Sequence, residues 1–306
     1  MSEFDTSPRS TRAAVLIPFA IVTLIWGSTW LVIRDQISVV PATWSVSYRF
    51  LVGGLAMGAF AIARRESFRL GTTGALFAAG IGLFQFVLNF NFVYHAEAYI
   101  TSGLVAVVFA MLLIPNAGFA RLFLGQRMGR QLMVGSAIAM AGAALLFVHE
   151  ARVDPAGPTR ALTGIALTIV AILSASTANV MQATKTAKRF PMHATLSVAM
   201  LIGAALDAVI AYSLNGPPVF EMRAGYVLGI LYLGLFASAL AFPLYYRVLR
   251  TIGPAKAAYS SVIVPVIAML LSTLFEDYHW SPLAAAGAGL AGIGLVIALS
   301  ARRPNR

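Results

Sequence analysis

Ten long apolar runs, separated by short polar joints, limit what this chain can become. They cover residues 13–33, 41–63, 70–94, 98–120, 131–148, 161–184, 192–214, 224–246, 257–275 and 280–301. A helix needs roughly 20 apolar residues to cross a hydrocarbon core about 30 Å thick. With no water at that depth, backbone groups must be satisfied within the segment, which favours helices. The runs therefore predict an all-α membrane protein of ten transmembrane helices. Composition agrees: 59% of the 306 residues are hydrophobic and 11% are charged, against about 25% charged in soluble domains. The first run is too long for a signal-peptide core and no small-residue cleavage site follows it, so it is expected to be retained.

The net charge of +11 could suggest nucleic acid, but the basic residues fall in short clusters between uncharged runs. None forms the basic stripe with interleaved aromatics that a nucleic-acid groove needs. Basic residues in short loops mark the cytoplasmic side instead. With the N-terminus inside, 17 of the 22 Lys and Arg residues fall inside and four outside; Arg49 lies within a run. Both termini are thus expected in the cytoplasm. No cysteine is present, which excludes disulfide and thiolate chemistry.

Prolines expose a repeat. VFAMLLIPNAGFARLFLGQR carries Pro115 mid-run, and SVIVPVIAMLLSTLFED carries Pro265 in the same way. At an offset of 150, Pro115 meets Pro265, Leu124 meets Leu274, Gln126 meets Glu276 and Gly142 meets Gly292. At 148, Ile21, Val22, Ser28, Thr29 and Val32 meet Ile169, Val170, Ser176, Thr177 and Val180. Five runs per copy is odd, so the second copy enters the membrane from the opposite side. Such inverted five-helix repeats are common in secondary transporters and place a site near the midplane. The expected division is a tail at 1–12, repeats at 13–148 and 161–301, a linker at 149–160 and a tail at 302–306.

The WGSTW stretch at Trp26–Trp30, the Arg49-Phe50 pair, the LFLGQR ending and LYYRVLRTIGPAKAAYSSVIVPVIAMLLSTLFED resemble the drug/metabolite transporter superfamily. Within it the chain is similar to EamA-type ten-span permeases, and among these to bacterial amino-acid and aromatic amino-acid exporters. The resemblance implies export from the cytoplasm across a bacterial inner membrane. Gln126 departs from the Glu usual in that family.

Proline lacks an N–H and clashes with the carbonyl four residues back. Pro115 is expected to free the Met111 carbonyl and Pro265 that of Ser261, either as hinges or as packed kinks. Ionisable groups within a membrane are functional candidates by default. Arg49 and Asp207 lie on equivalent runs of the two repeats. They could form an outer salt bridge, or Arg49 could hold a substrate carboxylate bidentately or cap freed carbonyls. Gln85, Asn89 and Phe92 share one face at helical spacing. Trp30, Asn89, His95, Tyr99, Asn179 and Tyr259 are the expected substrate-lining residues, though amides and hydroxyls also simply join helices. Trp44, Tyr246 and Trp280 read as interface belt. Small residues every four positions, at Gly135, Ala139 and Ala143 and at Ala288 and Gly292, permit either internal packing or a homodimer face.

A zwitterion with an apolar side chain would suit amides, hydroxyls and rings, so an amino-acid carrier working by alternating access is the leading expectation, with an organic-cation exporter as the alternative. Sugar phosphates would need several buried cations. A membrane-embedded enzyme would need a nucleophile with a base, a metal cluster or a carboxylate pair; the sequence has no such motif, and its four histidines are scattered. No cofactor is implied, and nothing resembles a phosphate-binding P-loop. Passage down the substrate gradient, or proton antiport, remains for the energy source.

Overall fold

The structure is a computed structural model and describes residues 8–125, 129–153, 158–252, 257 and 260–299. Tyr259 and Gln126 fall outside these. Every element among the described residues is helical. We number the continuous helices α1 (Pro8–Gln36), α2 (Ala42–Ala63), α3 (Gly71–Ala96), α4 (Ser102–Leu124), α5 (Arg130–Val153), α6 (Pro158–Gln182), α7 (Met192–Asn215), α8 (Ala224–Thr251), α9 (Ser260–Phe275) and α10 (Pro282–Leu299). Seven hold a segment long and apolar enough to cross a membrane. The other three, α5, α9 and α10, hold shorter apolar segments at Arg130–Leu146, Val264–Phe275 and Pro282–Gly294.

Turn chemistry sets several ends. α4 stops at Gly125, whose φ of 66° opens the left-handed region while its N–H bonds the Arg121 carbonyl, a glycine-capped terminus. α2 and α7 begin directly after Pro41 and Pro191, where a missing N–H costs nothing.

Contacts at the two ends fix the direction of α1–α4 and α6–α8. At the Glu97 end, the Arg34 guanidinium donates to the Glu97 carbonyl, Arg160 Nη2 to the Ala98 carbonyl at 2.8 Å, and Ser45 pairs with the Tyr226 hydroxyl at 2.9 Å. At the Glu66 end, one carboxylate oxygen of Glu66 meets His193 Nδ1 at 2.6 Å, and the other accepts the N–H groups of His193 and Ala194 at the start of α7. Arg250 Nη2 donates there to Gln182 Oε1 at 2.7 Å. Glu276, directly after α9, meets Arg34 and Ser102 at the Glu97 end, so the runs α1–α4 and α6–α9 reverse direction at every joint.

Two helices change pitch midway. Gly82–Asn89 of α3 and Tyr232–Leu240 of α8 wind as π-helix, at the offset of 150 that relates the prolines. π segments are rare and gather at functional sites. The prolines themselves differ. In α4, Ala110–Leu112 tightens into a 3-10 turn ahead of Pro115, and a backbone N–H at its end takes the Met111 carbonyl. The orphan expected from the sequence is thus satisfied locally. In α9 the helix continues through Pro265.

Small residues of α5 and α10 face each other inside the chain, although Gly292 of the expected stripe has open space beside it. A methyl group on Gly142 would lie 2.2 Å from the Ala291 nitrogen, and one on Gly294 would lie 2.2 Å from that of Ala139. α5 and α10 therefore pack backbone against backbone at Ala139, Gly142, Ala291 and Gly294.

Candidate functional site

A cavity of about 100 Å³ opens between α1, α2, α3, α4, α6, α8 and α9. Its size is of the order of the roughly 150 Å³ that admits a benzene-sized molecule. The π segment of α3 shapes one wall. A uniform α-helix would place Gln85, Asn89 and Phe92 together, but the wider turn shifts the register. The cavity instead receives Gln85, Asn89, Phe90 and Val93. Opposite stand Trp26, Thr29 and Trp30 of α1, with Phe109, Asn179, Phe242 and Tyr245. Rings interlock along the wall: Trp26 lies 5.0 Å from Tyr245 and 5.4 Å from Phe242.

Arg49 is the cavity's one charged lining residue and is 1% exposed. Its Nε donates to Ser238 Oγ at 3.1 Å, and its guanidinium lies 4.3 Å above the Phe90 ring centroid. Ser238 accepts while donating its own proton to the Leu233 carbonyl five residues back, at 2.7 Å. The π segment of α8 thereby anchors the arginine. No carboxylate among the described residues forms an ion pair with Arg49, and its Nη1 has no hydrogen-bond partner in the protein. A buried guanidinium in that state is costly. Two more buried atoms of the lining residues are similarly unpartnered: the Trp30 indole N–H, a donor, and Asn89 Oδ1, an acceptor. Asn179 closes the far side, its amide 3.4 Å from Asn116 Oδ1.

Of the expected lining residues, Trp30, Asn89 and Asn179 border the cavity, together with Arg49 and Pro265. His95 and Tyr99 do not: each lies beyond the cavity, where α3 ends. His95 is exposed with Nδ1 2.7 Å from the Asn91 carbonyl, and Tyr99 is 39% exposed. Tyr259 lies outside the described residues. Pro115 is absent from the wall. Arg49 and Asp207 do not pair. Asp207 instead accepts the Asn91 amide at 2.7 Å on Oδ1, and its Oδ2 is unpartnered. Two of the expected interface residues are interior: Tyr246 is fully buried and donates to Gln85 Oε1 at 3.2 Å, and Trp44 is also buried. Trp280 is exposed.

The model of the EamA-like transporter family matches residues 13–148 and again residues 162–300. The chain belongs to that family. It is 25% identical over 274 residues to protein PagO of Salmonella typhimurium, covering 87% of this chain and 85% of that one. It is 29% identical over 259 residues to the uncharacterized inner membrane transporter YedA of Escherichia coli, covering 82% and 79%. One crystal structure superposes with a TM-score of 0.67 at 21% identity, over 94% of this chain and 97% of that one; this likeness concerns the fold alone. The EamA family and the transporter relatives make this a multi-pass membrane protein of a transporter family.

Proposed function

We propose that this EamA-like chain is a secondary transporter of the bacterial inner membrane that exports neutral amino acids, aromatic ones included, by alternating access. Ten helices would cross the bilayer as two inverted five-helix repeats, 13–148 and 161–301, with both termini in the cytoplasm. The reversal of direction at each described joint and the paired π segments support that reading.

The unpaired Arg49 carries the substrate proposal. Its Nη1 and the Trp30 N–H are donors suited to a carboxylate; Asn89 Oδ1 is an acceptor suited to an ammonium group. The ring-lined wall suits an apolar side chain. A zwitterion would satisfy all three unpartnered atoms and neutralise the buried cation. Organic cations would meet Arg49's like charge, and a sugar phosphate would find one cation where it needs several. The chain acts on this reading as a carrier and not as an enzyme, and it uses no cofactor.

Uptake into proteoliposomes of labelled phenylalanine, leucine, an organic cation and a sugar phosphate, with and without a pH gradient, tests the proposal. Saturable amino-acid uptake is expected. Preferential uptake of the cation or the phosphate would overturn it.

A further inference from the structure

The Glu97 end holds a second buried polar cluster, one turn beyond the cavity. Glu97 follows Val93 by four residues, directly after the end of α3, and Arg34 follows the cavity residue Ile33 on α1. Arg34 is the bridge. Its Nη1 donates to the Glu97 main-chain carbonyl, and its Nε lies 4.0 Å from Glu276 Oε1 at the end of α9. Glu276 Oε2 accepts two hydroxyls, Ser102 of α4 at 2.6 Å and Ser272 of α9 at 2.5 Å. Three separate segments, α1, the α3–α4 junction and α9, are thus tied across one end of the cavity.

Glu97 does not fit a static tie. Its side chain is 0% exposed, and neither carboxylate oxygen has a hydrogen-bond partner. Arg34 spends its nearest donor on the backbone of Glu97 rather than on its carboxylate. An ionised carboxylate held dry and unpaired is costly, and such a group takes a proton instead.

We propose that Glu97 is a proton-binding site, protonated when this clasp is closed and ionised when it opens to water, so that protons on that side set how often the cavity opens there. The charged groups acting on Glu97 are Glu276 of α9, Arg34 of α1 and Arg49 of α2, and Tyr94 of α3 feels the charge of Glu97 in turn. Burial pushes the Glu97 carboxyl well above the ordinary carboxylate range, and the Glu276 charge adds to that; Arg34 and Arg49 act in the opposite direction. Once hydrated, the group would return to about 4.3. The closed form therefore binds one more proton than the open one. Closure is most favoured at low pH, and the closed-to-open ratio falls as pH rises. The proposal rests on the transporter reading only for its use. The site itself is a property of the clasp.

The test reads the clasp without transport. The chain has no cysteine, so Ala98→Cys and His279→Cys, both at exposed positions of this end, would carry the only two spin labels, in lipid nanodiscs. Pulsed dipolar spectroscopy from pH 5 to 9 should show the short-distance population shrinking as pH rises, and Glu97→Gln should hold it at every pH. A distance distribution unchanged from pH 5 to 9 overturns the proposal. So does an undiminished transition in Glu97→Gln. If that variant does not fold, Glu276→Gln replaces it: removing the like charge should move the transition to lower pH, and an unmoved transition is contrary. His95→Gln should leave the transition in place; its loss would make the exposed histidine the sensor and overturn the assignment to Glu97. Failure of amino-acid uptake with an intact transition would sink the transport reading alone.

Discussion

α3 and α8 carry the same backbone device and use it for different ends. Each opens into a π segment at an offset of 150 residues. In α3 the segment faces the cavity and turns Gln85 and Asn89 into it. In α8 it serves as a mount: Ser238 holds Arg49, and the Ala237 carbonyl accepts the Trp26 indole N–H at 3.1 Å. Widening a helix by one residue per turn loosens its hydrogen-bond ladder and frees carbonyls for side chains. One copy spends that freedom on presenting groups, the other on positioning them. A repeat can thus keep its backbone symmetry while its chemistry becomes one-sided.

Substitutions at five positions would break or sharpen this comparison. The largest effect is expected at the glycines that let both segments pack. A methyl on Gly82 would meet the Ala199 carbonyl oxygen at 2.7 Å, which is backbone and cannot swing aside. At Gly234 the nearest atom is Val52 Cγ1 at 2.6 Å, a side chain, with the Arg49 carbonyl oxygen at 3.1 Å. Gly82→Val should prevent accumulation of folded protein, and Gly82→Ala should cost about 1–3 kcal/mol, more than Gly234→Ala, as read by thermal unfolding in detergent. Equal costs would mean that the two segments are held alike. Next, Arg49→Gln should weaken amino-acid binding by roughly 30- to 150-fold, the worth of a charged hydrogen bond of about 2–3 kcal/mol. Asn89→Ala follows, with KM raised about tenfold and stability little changed, because it alters the presenting helix. Trp26→Phe should do the reverse: KM nearly unchanged and about 1 kcal/mol of stability lost with the bond to Ala237. If Asn89→Ala destabilised and Trp26→Phe raised KM, the division between presenting and mounting would be wrong.

Much of the architecture was legible because lipid enforces it. Apolar runs with basic joints left few alternatives, and the prolines at 115 and 265 disclosed the repeat. Trp30, Asn89, Asn179 and Arg49 were legible as polar or ringed groups inside apolar runs. The rest was hidden for identifiable reasons. A π segment has no sequence signature beyond glycines such as Gly82 and Gly234, so the true face of α3 departed from 3.6 periodicity, and Phe90 replaced Phe92. Depth along a run misplaced His95 and Tyr99, because α3 ends past the cavity. Tyr246 read as belt because its partner Gln85 lies 161 residues away. The Arg49–Asp207 pairing assumed that equivalent runs bring equivalent side chains together. Each found a nearer partner, Ser238 for one and Asn91 for the other. Glu97 falls in the joint between the runs 70–94 and 98–120 and is nonetheless buried.

The account stands on Arg49 receiving a carboxylate. Titration of the protein in nanodiscs with phenylalanine and with phenethylamine, its analogue lacking that group, tests this most directly. Phenylalanine should bind the natural protein and phenethylamine should not, and Arg49→Gln should erase the difference. Equal binding of the two by the natural protein, or a difference that survives Arg49→Gln, would contradict it.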